Sequence, residues 1–376
     1  MNDIVRLGIV GLGNIGRRHV ENVQGIPRAK LTAVCDAVVD RAHEFARQTG
    51  AAAYTDYNDM MASGTIDAVI IAVPHYDHAP VAVAAFAAGI HVLCEKPLAV
   101  HVADADKIIT AYEQAKEQHP SLVFAMMFNE RTFPMHLKIK EILSSGTLGQ
   151  LIRATWINTK WFRTQAYYDS GSWRATWEGE GGGILTNQCP HNLDMYQWLF
   201  GLPQRIRGHA HIGKYHDIEV EDEVTAYFEH ENGMIGHFIV STAESPGTNR
   251  LEVVGEYGKL VFEDDQLRLW RNEQSMLVYS RETDAIWGRI QANVETIDVN
   301  RDVPSGHGLV AAQFVDAIVD HTSLIAKGHE GLGSVTLANG IMLSSFLDRV
   351  IELPFDPALF EAELQARIEA SRRRRG

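Results

Sequence analysis

The chain has 376 residues, enough for two hydrophobic cores, and its 45% apolar and 22% charged content is that of an ordinary globular protein. Against 34 lysines and arginines stand 48 acids; the net charge of −14 argues against a nucleic-acid or anionic-membrane partner, which needs a positive surface. Cys35, Cys94 and Cys189 outline neither a disulfide framework nor a CxxC metal pair, no apolar run approaches the ~20 residues that span a bilayer, and a cytoplasmic protein is expected.

In chain order, apolar runs at Val5–Val10, Leu31–Cys35, Ala68–Val73, His91–Cys94 and Leu122–Met126 read as buried parallel strands. Helical spacing separates them. It is carried by Val39, Ala42, Phe45 and Ala46, by the alanine-rich stretch from Asp77 to Ala88 that ends at Gly89, and by Val102, Ala105, Ile108 and Tyr112. This alternation predicts a doubly wound α/β domain over residues 1–125. Residues 126–376 form the second expected domain. Phe133–Leu143 reads as a helix, and Leu151–Asn158, Val224–Glu229, Met234–Val240, Arg250–Val254 and Lys259–Phe262 read as strands. The terminal Arg372-Arg373-Arg374-Arg375 is expected to be a solvated, frayed end.

The turn after the first strand is Gly11-Leu12-Gly13-Asn14-Ile15-Gly16. A bare GxGxxG is weak, but here a strand precedes it and a helix pattern follows from Asn14. Gly11 suits the tight turn, Gly13 lets the backbone approach a pyrophosphate, and Gly16 lets helix and strand pack closely. Phosphates would then sit at a helix N-terminus. Asp36, at the end of the second strand, is placed to accept hydrogen bonds from ribose hydroxyls and to repel a 2′-phosphate, which favours NAD. Arg41 nearby leaves NADP open. The first domain is therefore read as a Rossmann dinucleotide-binding domain.

Three further signals follow in order: Ala72-Val73-Pro74-His75-Tyr76-Asp77-His78, then Glu95-Lys96-Pro97, and much later the run from Gly181-Gly182-Gly183 through Asn187-Gln188-Cys189-Pro190-His191 to Asp194. With the glycine fingerprint, and with Gly331-Leu332-Gly333-Ser334 and Glu352-Leu353-Pro354 near the end, the chain resembles the glucose–fructose oxidoreductase / inositol dehydrogenase / MocA family. The resemblance spans nearly the whole chain. It implies an NAD(P)-dependent dehydrogenase acting on CH–OH groups. It also implies a C-terminal α+β domain with an open, mostly antiparallel sheet, a homodimer or homotetramer, and a cis Lys96–Pro97 bond. Cofactor-facing loops would include Val73, Pro74, His78, Glu95 and Lys96.

Lys96 follows a strand end that faces the ligand crevice. By position alone it reads equally as a surface lysine; the Glu-Lys-Pro context favours a group that polarises a substrate oxygen or shuttles a proton. His191 is read as the general base, although a lone histidine is more often structural. Asn187 stands where many family members carry aspartate, and asparagine supplies neither negative charge nor a proton acceptor at neutral pH. Lys96 would then lack a carboxylate partner. If this segment is helical, Asn187, His191, Asp194 and Trp198 share one face. Asp194 is carried over as a substrate-pocket or helix-orienting residue.

The stretch Trp161-Phe162-Arg163-Thr164-Gln165-Ala166-Tyr167-Tyr168-Asp169-Ser170-Gly171-Ser172-Trp173-Arg174 offers flat rings beside hydrogen-bonding groups. That suits a carbohydrate, with Tyr168 and Trp173 as contacts; an aromatic lid or an arm packing on another subunit is the competing reading. Arg163 alternatively recognises a carboxylate. Asn129 and Arg131 are weaker pocket candidates. No metal site is expected: His209, His211 and His216 read as alternating histidines on an exposed strand. The expected activity is hydride transfer between NAD and a secondary alcohol of a sugar, sugar derivative or inositol-like cyclic polyol. The alternatives are a glycosidase that keeps NAD bound through transient oxidation, and a non-catalytic ligand sensor.

Overall fold

A computed structural model describes residues 4–171 and 173–375, so Ser172 of the aromatic stretch lies outside the described residues. The first sheet is fully parallel. It contains β1 (Val5–Val10), β2 (Ala29–Cys35), β3 (Ala52–Tyr54), β4 (Ala68–Ile71), β5 (His91–Cys94) and β6 (Phe124–Met126), ordered β3-β2-β1-β4-β5-β6. The central strands β1 and β4 are buried almost throughout, as aliphatic runs must be when helices cover both sheet faces. Those helices are α1 (Asn14–Gln24), α2 (Val39–Thr49), α3 (Tyr57–Ala62), α4 (His78–Ala87) and α5 (Val102–Gln118). The strand order reverses between β1 and β4, and a crevice opens at their carboxyl ends.

Beyond β6 come α6 (Pro134–Ser144), β7 (Leu151–Asn158), the single turn α7 (Gln165–Tyr168) and α8 (Pro190–Phe200). The strands β8 (Arg205–Ile212), β9 (Glu221–Glu229), β10 (Ile235–Ser241), β11 (Asn249–Gly255), β12 (Gly258–Glu263) and β13 (Gln266–Asn272) follow. They precede α9 (Met276–Glu282), β14 (Ala292–Ile297), α10 (His307–Asp320), α11 (Gly331–Leu347), β15 (Ile351–Glu352) and α12 (Pro357–Arg375). The second sheet is ordered β14-β13-β12-β11-β7-β10-β9-β8-β15. All its pairings are antiparallel except β7 with β10. On β9 and β7 burial alternates residue by residue, so one face carries the core.

Two late helices join the halves. α10 lies on the first sheet, where Val310, Ala311, Phe314 and Val315 share a core with Leu7, Ile9 and Leu93. α11 is buried on nearly every side and packs against β8, α8 and α5. Its apolarity all round fits that central place.

The strands β3, β13, β14 and β15 lie outside the expected set, while β8 is the exposed strand expected around His209 and His211. Asn187 precedes α8, which begins at Pro190, so it does not continue the helix face of His191 and Asp194. The arginine end is solvated, with Arg372, Arg373 and Arg374 exposed, but it is not frayed: it is the last turn of α12, and Arg372 pairs with Glu178 at 2.6 Å. His209 and His211 do lie exposed on β8, but His216 is in the following loop with ring nitrogens 3.0 Å from Asp222 Oδ2 and 3.0 Å from Arg163 O.

Candidate active site

The glycine turn has the shape its residues suggest. Gly11 adopts φ +90°, where a Cβ would stand 2.4 Å from the Ala72 carbonyl oxygen; at Gly16 a Cβ would meet Gly11 O at 1.9 Å. Around Gly13 there is open space, so a ligand backbone can come close. No side chain caps α1, which leaves its first amides, at Asn14, Ile15 and Gly16, available to an anion. Asp36 ends β2 and accepts from Leu12 N at 2.8 Å and Val38 N at 2.8 Å. The Arg41 guanidinium donates to both its oxygens at 3.2 and 3.1 Å. These groups form a cradle that fits a dinucleotide.

Past β4, Val73 and Pro74 enter a short turn before α4. The ring nitrogens of buried His78 lie 3.0 Å from Val73 O and 2.7 Å from Pro97 O. His78 therefore sits between the β4 loop and the β5 loop, with its ring nitrogens facing a backbone oxygen of each. Glu95 is likewise buried, accepting from His19 Nε2 at 2.8 Å and from Lys96 N at 3.1 Å. Burial pushes this carboxyl up, but the His19 hydrogen bond and the charges of His19, Lys96 and His307 outweigh it and hold it at about 2.

Lys96 follows β5, before a cis bond to Pro97. Its Nζ donates to the backbone oxygen of Asn187 at 2.8 Å. Burial lowers its pKa, with Glu95 and Glu180 opposing the shift. Glu180 was not anticipated. This buried residue stands directly before the triple glycine; Asn187 Nδ2 donates to its Oε1, and Ala175 N donates to its Oε2 at 2.7 Å. Asn187 thus carries no charge, yet it joins the Lys96 region to a carboxylate.

His191 opens α8 in its first turn, after Pro190. Burial and the nearby Lys96 charge lower it to about 3, so it is neutral at ordinary pH, and its buried Nδ1 has no hydrogen-bond partner among the described residues. Glu130, also unanticipated, lies between Asn129 and Arg131; burial and Asp194 raise its carboxyl to about 7, although Lys96 opposes this. It lines a cavity of about 250 Å³ with Asn158, Trp161, Asn192 and Phe262. Asn129 is buried, with Oδ1 unpartnered.

Asp194 and Arg131 form a buried ion pair. Arg131 donates bidentately to Asp194 at 2.8 and 2.6 Å and to Glu330 Oε2 at 2.7 Å, with both Arg131 and Asp194 buried. Both carboxylate oxygens are taken up inside the protein, which favours the helix-orienting alternative for Asp194.

The aromatic stretch is an arm over this cleft. Trp161 Nε1 donates to Asn192 Oδ1 at 3.3 Å, and Gln188 Nε2 donates to Tyr167 Oη at 3.2 Å. Tyr168 donates to Thr242 Oγ1 at 2.9 Å, and its ring packs on His216. It anchors the arm and also lines a cavity of about 1040 Å³. Trp173 is partly exposed under the Arg174 guanidinium, 4.7 Å from the ring centre. Arg163 lies over Trp161 and Tyr167.

Comparison with known proteins then separates this arrangement from other folds that bind dinucleotides. Residues 5–120 match the oxidoreductase family with an NAD-binding Rossmann fold, GFO/IDH/MocA, and residues 136–261 match the GFO/IDH/MocA C-terminal domain. The chain belongs to the GFO/IDH/MocA oxidoreductase family. It is similar to a myo-inositol 2-dehydrogenase of Thermotoga maritima, 28% identical over 68% of this chain and 74% of that protein. A trans-1,2-dihydrobenzene-1,2-diol dehydrogenase of Mus musculus is 30% identical over 64% of this chain and 69% of that protein. Other inositol 2-dehydrogenases match over little more than half their length. The WlbA dehydrogenase of Bordetella pertussis, whose structure holds NADH and UDP-GlcNAcA, superposes with a TM-score of 0.77 at 25% identity, covering 94% of this chain and all of that one. Like its GFO/IDH/MocA relatives, the chain is a dehydrogenase acting on CH–OH groups, with NAD as its cofactor. Among the described residues no helix is long and apolar enough to cross a membrane.

Proposed function

We infer that the protein oxidises a secondary alcohol of a sugar, sugar derivative or cyclic polyol, reversibly. The observation that carries this reading is a neutral, half-buried His191 with its Nδ1 unpartnered, within reach of the Lys96 charge at the crevice beyond β5. Bound NAD supplies the hydride acceptor. Gly11, Gly13 and Gly16 shape its pyrophosphate turn, with Asn14 and Ile15 amides behind it, and Asp36 receives the ribose hydroxyls. The Lys96 ammonium polarises the substrate oxygen, and His191 takes the hydroxyl proton as the carbon loses hydride. The Asn187 carbonyl keeps Lys96 pointed at the cleft. Support for the substrate class comes from the Thermotoga relative, named for myo-inositol, and from WlbA, which binds a sugar nucleotide.

Three buried, unpaired cysteines fit a reducing, cytoplasmic setting, and the broad second sheet offers a face for a homodimer or homotetramer. The test is a panel of inositols, pyranoses and glycosides with NAD, and with NADP in parallel, followed by NADH absorbance. Substrate-dependent NADH that vanishes in Lys96→Met supports the reading. Turnover that survives that change refutes it.

A further inference from the structure

The arm contains two arginines that hold no carboxylate. The Arg163 and Arg174 guanidinium carbons lie 5.0 and 4.5 Å from the centre of the same Tyr167 ring, so two permanent charges share one aromatic side chain. Arg163 Nη1 donates to Phe162 O at 2.9 Å, and Arg174 Nη1 to Tyr167 Oη at 2.8 Å. Both Nε atoms are buried and unpartnered, and neither residue forms an ion pair among the described residues. Elsewhere Arg6, Arg41, Arg131 and Arg250 each grip a carboxylate. In a chain of net charge −14, acids are plentiful. The Arg174 charge acts on buried Glu180 without a direct contact, so two half-buried like charges on one ring are left with no carboxylate bonded to either, which is unfavourable unless something else brings the negative charge.

The arm that carries the pair is bonded to the segment that holds Lys96 and leads to His191. Tyr167 is bonded by Gln188, the neighbour of Asn187, whose carbonyl holds Lys96. Trp161, under Arg163, is bonded to Asn192 beside His191 and walls the cavity of about 250 Å³. The Cys189 thiol feels the positive charges of both Lys96 and Arg163. Gln188 Oε1 is buried and unpartnered, an acceptor suited to a hydroxyl. Arg174, though not Arg163, also lines a cavity of about 1040 Å³ between the arm and α12, which gives an anionic end room beside Arg367 and Arg374, with Asp169, Asp217 and Glu219 on the same wall.

We propose that Arg163 and Arg174 bind an anionic group of the substrate, a carboxylate or a phosphate, remote from the carbon that is oxidised. The substrate is then a hydroxylated anion such as a sugar acid or sugar phosphate. This rests on the dehydrogenase reading above and narrows its substrate class.

The experiment compares matched neutral and anionic compounds on the NAD-loaded enzyme: glucose, glucuronate and glucose 6-phosphate; galactose and galacturonate; myo-inositol and an inositol monophosphate. NADH formation gives kcat/KM, and calorimetry gives affinity for the same compounds. We expect at least about tenfold preference for one anionic series, the carboxylate and phosphate arms telling which. R163Q and R174Q should each raise KM for that anion about tenfold more than for its neutral counterpart. Equal or better use of the neutral compounds overturns the anion site while leaving the dehydrogenase intact, and needs no variant. If no compound yields NADH, binding decides: anion affinity that is lost in R174Q upholds the site although the dehydrogenase reading falls, and no anion affinity overturns it.

Discussion

The Lys96 ammonium is held by the main-chain oxygen of Asn187, 2.8 Å away, while the Asn187 side chain turns to Glu180. The uncharged residue thus sits between a cation and a buried carboxylate. Glu180 supplies part of the negative potential that keeps Lys96 protonated against burial. Removing that charge should lower the Lys96 pKa further. E180Q is expected to move the alkaline limb of the kcat/KM–pH profile downward by about one unit, with folding retained. An unmoved limb in a folded variant means that Lys96 takes its charge support elsewhere.

Lys96→Met removes the ammonium without leaving a large void. A drop in kcat of about 10²- to 10⁴-fold is expected, while NAD affinity measured by calorimetry changes little. Retained turnover counts against the oxygen-polarising role.

His191 is held at about 3 by burial first and by Lys96 second, so it is unprotonated across the working range. Activity that needs a neutral base should therefore persist well below the ordinary histidine value of 6.5, and an acid limb near 6.5 would contradict the assignment. H191N keeps a smaller polar, hydrogen-bonding side chain but no group basic enough to take up the proton. It should cost about 10²-fold or more in kcat and leave the KM for NAD nearly unchanged.

How legible this was depended on whether the signal was local. β1, α1 and the Gly11–Gly16 turn follow from an aliphatic run, helical spacing and glycines at fixed offsets, all within a dozen residues. β3 is only Ala52–Tyr54, too short to carry a pattern. β14 is almost wholly exposed and shows no apolar face, so its pairing with β13 sets it, not its residues. The same divide runs through the site. Lys96 and His191 sit in recognisable runs, but Glu180 and Glu130 gain meaning only from residues far away in the chain. Glu180 had one available hint, its place just before three glycines. Asp194 stays open between two roles in the sequence because its partner, Arg131, is 63 positions away.

Asp36 already has two donors on each oxygen, Leu12 N and Arg41 on one and Val38 N and Arg41 on the other, so a ribose hydroxyl would take the place of the partly exposed Arg41 guanidinium. D36A should weaken NAD by about tenfold and free Arg41 to meet a 2′-phosphate. The NADP/NAD ratio of kcat/KM is expected to rise, and an unchanged ratio would show that Asp36 does not face the ribose.

Glu221 begins β9 buried beneath the glycine run, and its carboxylate accepts from Gly183 N at 2.9 Å and Leu185 N at 3.1 Å. Burial raises its pKa from 4.5 to about 7, the backbone hydrogen bonds opposing. A carboxyl raised in this way binds its proton more tightly folded than unfolded. Its stabilising contribution is full below about 4.5 and is lost as pH rises through about 7. Glu130, at about 7, acts in the same direction, whereas His191 and His307, lowered to about 3 and about 4, add stability as pH rises toward 6.5. The wild-type profile mixes these opposing slopes, so only a difference isolates Glu221. A glutamine keeps one acceptor for the two amides and never ionises. The stability of E221Q minus that of the wild type, from denaturant unfolding at fixed temperature, should therefore increase between pH 5 and pH 8 by at most roughly 3 kcal/mol. A flat difference would mean that the glycine run relaxes to hydrate the carboxylate once it is charged.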